Sequence, residues 1–427
     1  MRVLQIVDDL PRVPRGGLDR HVAELNTALR ERDIDSIVLK LAEGEGERVA
    51  RLNAAYEKDR KAGEAATAAA IESARTQPVT VAWGDPSDGS GGLRQSISNR
   101  PLLDAFAEAL ERLRPQVVHI HTMQHLSHRV PEVARRFGAE VVWTMHDFFA
   151  VCARTHLTTG QGIACGGPQG GLACGPCYGG FKGFFAAPVF VLRHVGFLNA
   201  FRLAHAIVVP SRFARDILVE QGAPADSVHV LPPAVPREAR MADLPAGTQA
   251  RFVFAGDLRR SKGADLAIEA LSLLPPGSAS LDVYGGSPAP PAPAETPFEA
   301  DLRAAAVGLP VRFHGRYGDG DLMALLDGAT GLLVPSRVRE TFGRTANRAL
   351  QGGVPVIAAR HGALPEFVHE GVNGALCEPD DAEDLAAAMR RVMEAGLGMQ
   401  AEAEHWPPAP DLADHLDGLL PLYRWSP

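Results

Sequence analysis

The 427-residue sequence has no hydrophobic run long enough to cross a membrane. A spanning helix needs about 20 apolar residues, and the longest candidate, Phe184 to Leu192, is followed directly by Arg193 and His194. The N-terminal run from Val3 to Val7 is too short for a signal peptide and is typical of a first strand. We therefore expect a cytoplasmic protein that does not span a membrane.

One segment leaves a peripheral membrane contact open. From Phe181 to Ala206, bulky apolar residues are mixed with Lys182, Arg193 and Arg202, a pattern found in helices that lie on a membrane surface. Association with the cytoplasmic face of a membrane is therefore an alternative. A helix packed in a groove or core shows the same pattern, and this is the interpretation that we favour.

Basic residues are not in excess, since 43 Lys and Arg stand against 51 Asp and Glu, giving a formal net charge of -8. This balance argues against a nucleic-acid partner, because phosphate contacts normally require a basic surface. The content of 46% hydrophobic and 22% charged residues is that of a globular protein. The length exceeds what one core usually organises, so we expect two domains.

Short apolar runs alternate with helical patterns in two separate stretches of the chain. The first stretch includes the strand-like Val117 to Ile120 and the helical Leu18 to Arg30, and the second begins at Arg251 to Ala255. This alternation predicts an α/β fold with two doubly wound parallel sheets. The Pro-rich run from Leu231 to Pro236, with irregular sequence after it, predicts the interdomain linker.

The domain boundaries follow from this linker. We expect an N-terminal domain over 1–235 and a C-terminal domain over 236–410. The last stretch, 411–427, has leucines at helical spacing, so we expect a helix that packs back on the N-terminal domain. Two stretches, 42–99 and 287–297, interrupt the alternation and are predicted to be surface insertions.

Several short motifs occur in a fixed order along nearly the whole chain. They are Gly16-Gly17-Leu18-Asp19-Arg20-His21, His119-Ile120-His121, Trp143-Thr144-Met145-His146-Asp147, Pro210-Ser211-Arg212-Phe213, Lys262-Gly263, Glu340-Thr341-Phe342-Gly343, Gly353-Val354-Pro355-Val356-Ile357, Leu364-Pro365-Glu366 and Gly371-Val372-Asn373-Gly374. With these motifs the chain resembles the retaining glycosyltransferases of the GT-B fold, family 4, also called glycosyl transferases group 1. The resemblance implies two Rossmann-like domains facing a cleft, with a nucleotide-sugar donor held mainly by the C-terminal domain.

A donor of this class presents a diphosphate, which requires backbone N–H donors and fixed cations. Glu340-Thr341-Phe342-Gly343 follows a predicted strand and opens a helix, so we expect phosphate to dock beside Phe342 and Gly343. The resemblance implies that Lys262 contacts the diphosphate and that Glu340 touches the donor sugar. The acidic chain also concentrates basic residues in the two loops expected to flank this site, namely Arg259, Arg260, Lys262, Arg337, Arg339, Arg344 and Arg348.

The sequence departs from the family pattern at two positions. Asp257 stands where the family has a phosphate-binding arginine, so we predict that Arg259 or Arg260 replaces it. Arg348 stands where the family has a second glutamate, thought to bind the ribose hydroxyls. Because arginine only donates hydrogen bonds, the nucleotide must be held differently, and the base and sugar of the donor stay open.

His146 is the candidate catalytic residue of the N-terminal domain. It follows the predicted strand from Val141 to Thr144, at the end where open α/β sheets bind ligands, and it matches a family histidine near the donor sugar and phosphate. A structural histidine paired with Asp147 is the alternative. We expect His119 and His121 to point to opposite faces of their strand, so that at least one of them is a packing residue.

Two glycines, Gly16 and Gly17, would let the N-terminal loop approach the donor phosphate closely. A tight turn without ligand contact is the alternative. No side chain stands out as a nucleophile, which agrees with the retaining reaction of the family, in which the acceptor attacks the face that the phosphate leaves. The resemblance implies no cofactor for this catalysis.

Four of the five cysteines, Cys152, Cys165, Cys174 and Cys177, fall in one Gly-rich stretch, and the last two form a Cys-x2-Cys pair. This spacing is typical of metal ligands, and the stretch is too poor in apolar residues to be ordered by burial alone. We favour a structural zinc ion, with reduced thiols or disulfides as alternatives. We expect the Cys-rich loop, 152–183, to shape the acceptor side.

The favoured function is transfer of a hexose from a UDP- or GDP-sugar to a polysaccharide precursor, a lipid-linked acceptor or a small natural product. A nucleotide-sugar epimerase or phosphorylase of the same fold is one alternative, because fold alone does not decide activity. A non-catalytic nucleotide-sugar-binding protein is another. The sequence does not identify the acceptor or the oligomeric state.

Overall fold

The computed structural model describes residues 1–7, 17–43, 79–83, 97, 99–124, 126–159, 164–179, 186–236, 249–286, 295–318, 321–401, 406 and 409–423. The chain divides into two compact units. The first comprises Met1–Gly160, Cys165–Pro233 and Leu412–Pro427, and the second comprises Gln161–Ala164 and Ala234–Asp411.

The first unit is built on a sheet of seven strands in the order β3-β2-β1-β4-β5-β6-β7, in which every pairing is parallel. All four residues of β4 and all four of β6 are buried, as expected for strands covered on both faces. The strands are β1 (Arg2–Val7), β2 (Asp35–Glu43), β3 (Val79–Trp83), β4 (Val117–Ile120), β5 (Glu140–Thr144), β6 (Ala206–Val209) and β7 (Val228–Val230).

The second unit has a parallel sheet of six strands in the order β10-β9-β8-β11-β12-β13. The strands are β8 (Ala250–Ala255), β9 (Ala279–Tyr284), β10 (Val311–Gly315), β11 (Gly331–Val334), β12 (Val356–Ala359) and β13 (Gly374–Cys377). In each sheet the chain winds to one side of the first strand and then crosses to its other side. The prediction of two doubly wound parallel sheets is confirmed.

Helices connect the strands of both sheets, and several have a side chain that caps their first turn. Asn99 accepts from the backbone of Leu102, and Thr296 and Glu299 form a reciprocal capping box. The helices are α1 (Gly17–Glu31), α2 (Arg100–Leu113), α3 (Val130–Arg136), α4 (Cys174–Gly179), α5 (Ala187–Leu203), α6 (Arg212–Glu220), α7 (Ala264–Ser272), α8 (Pro297–Ala305), α9 (Leu322–Leu326), α10 (Arg344–Gln351), α11 (Ala382–Ala401) and α12 (Leu412–Leu419).

The chain returns to the first unit at its end. Leu416 and Leu419 of α12 and the following Tyr423 are buried with Val3 of β1 and Leu25 of α1 in one hydrophobic cluster. The apolar face predicted for this helix is therefore covered by the elements that begin the chain.

Helix α5 lies in the segment for which a membrane-surface helix was an alternative. Phe197 and Phe201 are buried beside Trp143 in the core of the first unit, whereas Leu192 and Val195 are exposed. The helix is thus a core helix with an apolar strip on its outer side. Among the described helices, none combines the length and the apolar character that crossing a membrane requires.

The predicted insertion over 42–99 is not wholly irregular. Strand β3 lies inside it and pairs with β2 from Leu39 to Glu43, extending the sheet by one strand. The run Val79–Trp83 is short, and its position between an Ala-rich and a Gly- and Ser-rich stretch masked it in the pattern. The rest of that insertion, and most of the predicted loop over 287–297, lie outside the described residues.

Candidate functional site

The second sheet has a topological switch point between β8 and β11, because the connection from β8 leads to one side and β11 lies on the other. Ligands of open α/β sheets bind outside the carboxyl ends of the strands at such a point. A cleft of about 620 Å³ lies here. It is lined by Phe254, Ala255, Gly256, Lys262, Leu333, Val334, Ser336, Glu340, Gly343, Arg344, Thr345 and Ala346.

Lys262 and Glu340 form the polar centre of this cleft. Lys262 Nζ donates to Glu340 Oε1 at 2.7 Å, and Ser336 Oγ donates to the same oxygen at 2.9 Å. The Lys262 side chain is 35% exposed and that of Glu340 is 18% exposed, so both stay accessible to a ligand. A cation and a carboxylate predicted from separate motifs are thereby brought into direct contact.

Gly263 fixes the backbone beside Lys262. Its φ is 78°, in the left-handed region, and a Cβ at this position would lie 2.1 Å from the carbonyl oxygen of Pro335. Glycine is the residue that tolerates both conditions. The Lys-Gly pair of the sequence motif is thus a lysine held in place by close backbone packing.

Helix α10 directs its first turn at the same cleft. Gly343 caps it with a φ of 77°, and Arg344, Thr345 and Ala346 of the first turn line the cleft. The first amides of a helix have no partner within the helix and carry the positive end of its dipole. The cleft therefore combines a lysine, an arginine and a helix N-terminus, a combination suited to an anion.

Other predicted donor-binding residues lie outside the lining of this cleft. Arg259 and Arg260 are exposed on the loop before α7, and Arg260 lies 4.0 Å from Asp265. Arg348 is 3% exposed within α10. Phe342 is buried against Phe367, with ring centroids 5.0 Å apart, and Thr341 is half-buried between the lining residues Glu340 and Gly343.

Arg337, one of the basic residues of the flanking loops, has a structural role. Its guanidinium bonds to Asp265 at 2.7 and 3.0 Å and to Asp380 at 2.5 Å. These carboxylates hydrogen-bond the guanidinium and raise its pKa, although partial burial acts in the opposite direction. The positive charge that the sequence concentrates in these loops is therefore partly neutralised.

The first sheet has its own switch point, between β1 and β4, and histidines gather there. His21 lies in α1 after β1, His121 follows β4, and His146 follows β5. The ring centroids of His21 and His146 are 5.2 Å apart, and His121 Nδ1 is 3.5 Å from His146 Nε2. Of the described residues, these three have metal-ligating atoms within 4.8 Å of one another.

Two further histidines extend this cluster. His119 is 4.0 Å from His121 between ring centroids, and its nitrogens lie 2.7 Å from Tyr423 Oη and 2.7 Å from Thr144 Oγ1. His415 of α12 is 5.0 Å from His21 between ring centroids. Its Nδ1 lies 2.8 Å from the carbonyl oxygen of Pro232, which only accepts, so this nitrogen carries a proton.

Burial disfavours the charged form of three of these histidines, His119, His121 and His415. The pKa values of His119 and His121 lie well below the ordinary value because both rings are buried, and the neighbouring imidazoles lower them further. The pKa of His415 is also lowered by burial. The pKa of Asp147, beside His146 in the sequence, is raised by burial. His119, His121 and His415 are therefore hydrogen-bonding imidazoles whose burial opposes a positive charge.

The expectation that His119 and His121 point to opposite faces is wrong. Residues i and i+2 of a strand share a face, and the two rings are in contact. The sequence motif of His119 and His121 was therefore a signal of the cluster that our reasoning missed. His21 was quoted in a motif without a role, and His415, from the far end of the chain, carried no local signal.

The remaining predicted residues are placed as follows. Gly17 is the first residue of α1, and Gly16 lies outside the described residues. Asp147 accepts from the Gln124 amide at 2.6 Å and from the Phe149 backbone at 2.8 Å. His146 itself is half-buried.

The four clustered cysteines line one cavity of about 380 Å³ in the first unit, together with Arg154, Tyr178 and Phe190 among others. All five cysteines of the chain are free. Burial, and then the neighbouring cysteines, raise the pKa of Cys174 to about 11. Cys377 is buried in β13 of the second unit, apart from the other four.

The chain is similar to two protein families that together extend over most of its length. The family described as Glycosyltransferase Family 4 matches residues 15–239, which is more than half of the chain. The family described as Glycosyl transferases group 1 matches residues 237–405. The first match includes the histidine cluster residues His21, His121 and His146, and the second includes the cleft of Lys262 and Glu340.

Relatives with assigned names agree with these families. A D-inositol 3-phosphate glycosyltransferase from Acidothermus cellulolyticus is 31% identical over 235 residues, which cover 49% of this chain and 51% of that protein. A glycogen synthase from Mycobacterium tuberculosis is 25% identical over 421 residues, covering 94% of this chain and 88% of that protein. The chain thus spans about half the length of the first relative and most of the second.

Among solved structures, HepE from Anabaena in complex with UDP and glucose matches with a TM-score of 0.63. The match covers 99% of this chain and 98% of HepE at 16% sequence identity. At this identity the likeness concerns the fold, which is the GT-B fold predicted from the motifs.

Proposed function

Because this chain belongs to glycosyltransferase family 4, we propose that it transfers a hexose from a nucleoside-diphosphate sugar to an acceptor with retention of anomeric configuration. One observation carries the proposal: Lys262, Glu340 and the N-terminus of α10 open on one cleft at the switch point of the second unit. A cation beside helix amides suits a diphosphate, and a carboxylate beside them suits sugar hydroxyls.

Donor binding is proposed to exchange partners within this cleft. In the free protein, Lys262 is paired with Glu340. A diphosphate oxygen would take over the Lys262 ammonium and accept from the amides around Gly343, and Arg344 would add a second cation. Glu340 would then be released to accept from a hydroxyl of the donor sugar.

The transfer itself needs no nucleophile from the protein. In the proposed step the acceptor hydroxyl oxygen bonds to the anomeric carbon on the face from which the phosphate leaves, while the bond to the phosphate oxygen breaks. The acceptor proton passes to the leaving phosphate, whose charge Lys262 and the helix amides stabilise. His146 is proposed to position the donor sugar through hydrogen bonds of its imidazole.

The nucleotide is held differently from the family pattern in this proposal. Arg348, at the position of the ribose-binding glutamate, is buried, so the ribose must find another acceptor. Arg259 or Arg260 is proposed to supply the cation that Asp257 lacks. The UDP held by HepE supports a uridine nucleotide as the first candidate, and a guanosine nucleotide is the second.

The acceptor is proposed to be a polysaccharide precursor, a lipid-linked sugar or a small natural product, chosen by the first unit. The names of the relatives agree with this range, since one uses an inositol phosphate and another extends glycogen. The C-terminal half of the chain, which holds the proposed donor site, does not restrict this choice.

A donor screen tests the proposal. UDP-, GDP-, ADP- and dTDP-sugars are titrated calorimetrically into the full chain, and the donor that binds is incubated with acceptor candidates. We expect binding of one base class, nucleotide release that depends on acceptor, and a product with the donor's anomeric configuration by NMR. Release without any acceptor dependence would reject transfer, and an inverted product would reject retention.

The proposal that Arg259 or Arg260 replaces the arginine absent at position 257 is tested separately with Arg259→Ala and Arg260→Ala. We expect one of them to weaken donor binding about tenfold, the effect of losing one exposed charge-assisted hydrogen bond. Wild-type affinity in both, with Lys262→Ala impaired, would reject the replacement of the missing arginine.

A further inference from the structure

Four cysteines from three separate points of the chain meet at one cavity of the first unit. Cys152 follows β5, Cys165 lies in the loop after it, and Cys174 and Cys177 lie in α4. Positions three apart on a helix share a face, so the last two side chains point the same way. The proposed sugar transfer uses none of these thiols.

A backbone amide is aimed at one of the sulfur atoms. The N–H of Gly167 donates to Cys165 Sγ at 3.4 Å. Amide donors of this kind stabilise a thiolate, which is the form of cysteine that binds metals.

Two arginines flank the cavity. Arg154 lines it and donates to the carbonyl oxygen of Cys177 at 3.3 Å. Arg193 is 3% exposed and donates to the carbonyl oxygens of Phe149 and Ala150, shortly before Cys152 in the chain. In the part of the chain that the structure describes, no carboxylate forms an ion pair with Arg193, and its Nε has no hydrogen-bond partner.

This arrangement of charge suits an anionic group in the cavity. A divalent cation bound by four thiolates carries a net charge of about -2 by the simple sum of formal charges, which two flanking guanidinium groups balance. The Arg193 guanidinium already donates to two carbonyl oxygens and lies 4.7 and 4.6 Å from the ring centroids of Phe149 and Phe197, so a thiolate cluster would add a formal counter-charge to these contacts.

The segment that carries the cysteines has little apolar packing of its own. Leu172 is 64% exposed and Tyr178 is 47% exposed. The segment touches α5 closely, since a Cβ on Gly171 would lie 2.5 Å from the Phe190 carbonyl oxygen. A crosslink at the cysteines would hold this loop against α5 without requiring a hydrophobic core.

We propose that Cys152, Cys165, Cys174 and Cys177 together bind one structural Zn²⁺ ion as a tetrathiolate. Binding forms four Zn–S bonds and releases the four thiol protons to solvent, with no change of oxidation state. All four positions are taken by protein ligands, so the ion holds the loop and does not act on substrate.

The four cysteines are not yet gathered at the spacing of metal ligands, because among the described residues it is His21, His121 and His146 that meet it. Binding must therefore draw the sulfurs together. The histidines are the competing site, although both ring nitrogens of His121 already face partners, Gln5 and His146. The test must distinguish sulfur from nitrogen ligands.

The experiment uses the untagged full chain, purified without chelator, in wild-type form and as Cys174→Ser/Cys177→Ser. Cys377→Ser is the matched control, since Cys377 is a buried cysteine of the other unit. We expect one zinc per chain by elemental analysis in the wild type and the control, and less than about a fifth of that in the double variant. Sub-stoichiometric metal in the wild type would overturn the proposal.

A second measurement, made on the wild-type protein, tests the proposal even if the double variant fails to fold. Wild-type protein is depleted of metal and refilled with Co²⁺, which adopts the zinc geometry and reports its ligands by absorption. We expect thiolate-to-cobalt charge-transfer bands and the intense visible bands of a tetrahedral site. Cobalt binding without charge transfer would assign the metal to the histidines, and fewer than five titratable thiols in the denatured, metal-free and unreduced chain would indicate disulfides; either result overturns the proposal.

Hydrogen exchange supplies a readout that does not depend on activity. Metal removal is expected to raise exchange about tenfold or more in α4 and in the loop after Cys152, with the second unit unchanged. Unchanged exchange in this segment would contradict the structural role. Since the donor cleft lies in the second unit, donor binding by the depleted protein would show that failure of this proposal leaves the proposed function standing.

Discussion

The two sheets place functional residues at the same topological position, but the electrostatic character of these residues differs. In the second unit, the switch point carries Lys262, Arg344 and the amides of α10. In the first unit, it carries the imidazoles of His21, His121 and His146, and burial lowers the pKa of His121 well below its ordinary value. The shared backbone topology determines where a ligand is received, and the side chains determine whether that ligand is an anion or a neutral polar group.

This difference follows from burial. Lys262 keeps 35% of its side chain exposed, so its charge costs little to maintain. His119 and His121 are 0% and 2% exposed, and an imidazolium in such surroundings would be strongly disfavoured. Charge is thus retained where solvent reaches it and is lost where the sheet and α12 exclude solvent.

Acidification should produce the largest difference between the two units, because it should destabilise the first unit more than the second. His119, His121 and His415 have lowered pKa values in the folded first unit, so below about pH 6.5 the unfolded chain binds protons that the folded unit does not. Stability is therefore full above this pH and falls below it, by about 1.4 kcal/mol per pH unit for each histidine. Three histidines give about 4 kcal/mol per unit.

The second unit is the internal control for this prediction, because His361 is its one described histidine with a lowered pKa. Hydrogen exchange at pH 7.5 and 5.5 should show a larger loss of protection in β4 and β5 than in β8 and β11. Equal losses in both units would contradict the buried neutral cluster.

Lys262→Ala should impair the positively charged cleft of the second unit most directly. It removes the fixed cation and leaves Glu340 facing the incoming diphosphate without its partner. We expect kcat/KM for the donor to fall about 100-fold, equivalent to about 2.7 kcal/mol, as for loss of one oxyanion donor. Arg303→Ala, an exposed arginine paired with Glu295, is the control and should stay within twofold of wild type.

Gly263→Ala tests whether the backbone position of Lys262 matters. The added Cβ meets the Pro335 carbonyl oxygen at 2.1 Å, whereas Gly277, with nearly the same φ of 77°, has nothing within 4 Å. Gly277→Ala should cost about 1–2 kcal/mol from the left-handed backbone alone, and Gly263→Ala should cost about 1–3 kcal/mol more from the clash. Denaturant unfolding measures both, and equal losses would show that the Lys262 loop shifts freely.

His146→Ala, in the histidine cluster of the first unit, should have the smallest effect on activity among these variants. We expect kcat to fall about tenfold through lost positioning of the sugar, with donor affinity changed less than twofold. His205→Ala, a half-exposed histidine of the same unit, is the control. An equal fall in donor affinity would instead assign His146 to nucleotide binding.

Local sequence was sufficient for the strands and helices that flank both switch points. The run Val117–Ile120 was predicted at its observed bounds, because β-branched and apolar residues bounded by polar turns specify a buried parallel strand. Strand β3 was missed because a five-residue run between an Ala-rich and a Gly- and Ser-rich stretch gives little periodic signal. The strand-to-helix position of the Glu340-Thr341-Phe342-Gly343 motif indicated Gly343, whereas the roles expected of Lys262 and Glu340 came from the family resemblance.

The amino-acid sequence alone was enough to identify the two alternating βα series, the order of the motifs and the chemical groups available at each motif. The folded arrangement was needed to show that Lys262 contacts Glu340, 78 positions away, and that Arg337 forms an ion pair with Asp265. It was also needed to show that the ring of His415, from the far end of the chain, packs against that of His21. The reason is physical: propensity and periodicity act between near neighbours, whereas ion pairs, burial and shifted pKa values depend on which distant segments the sheets bring together.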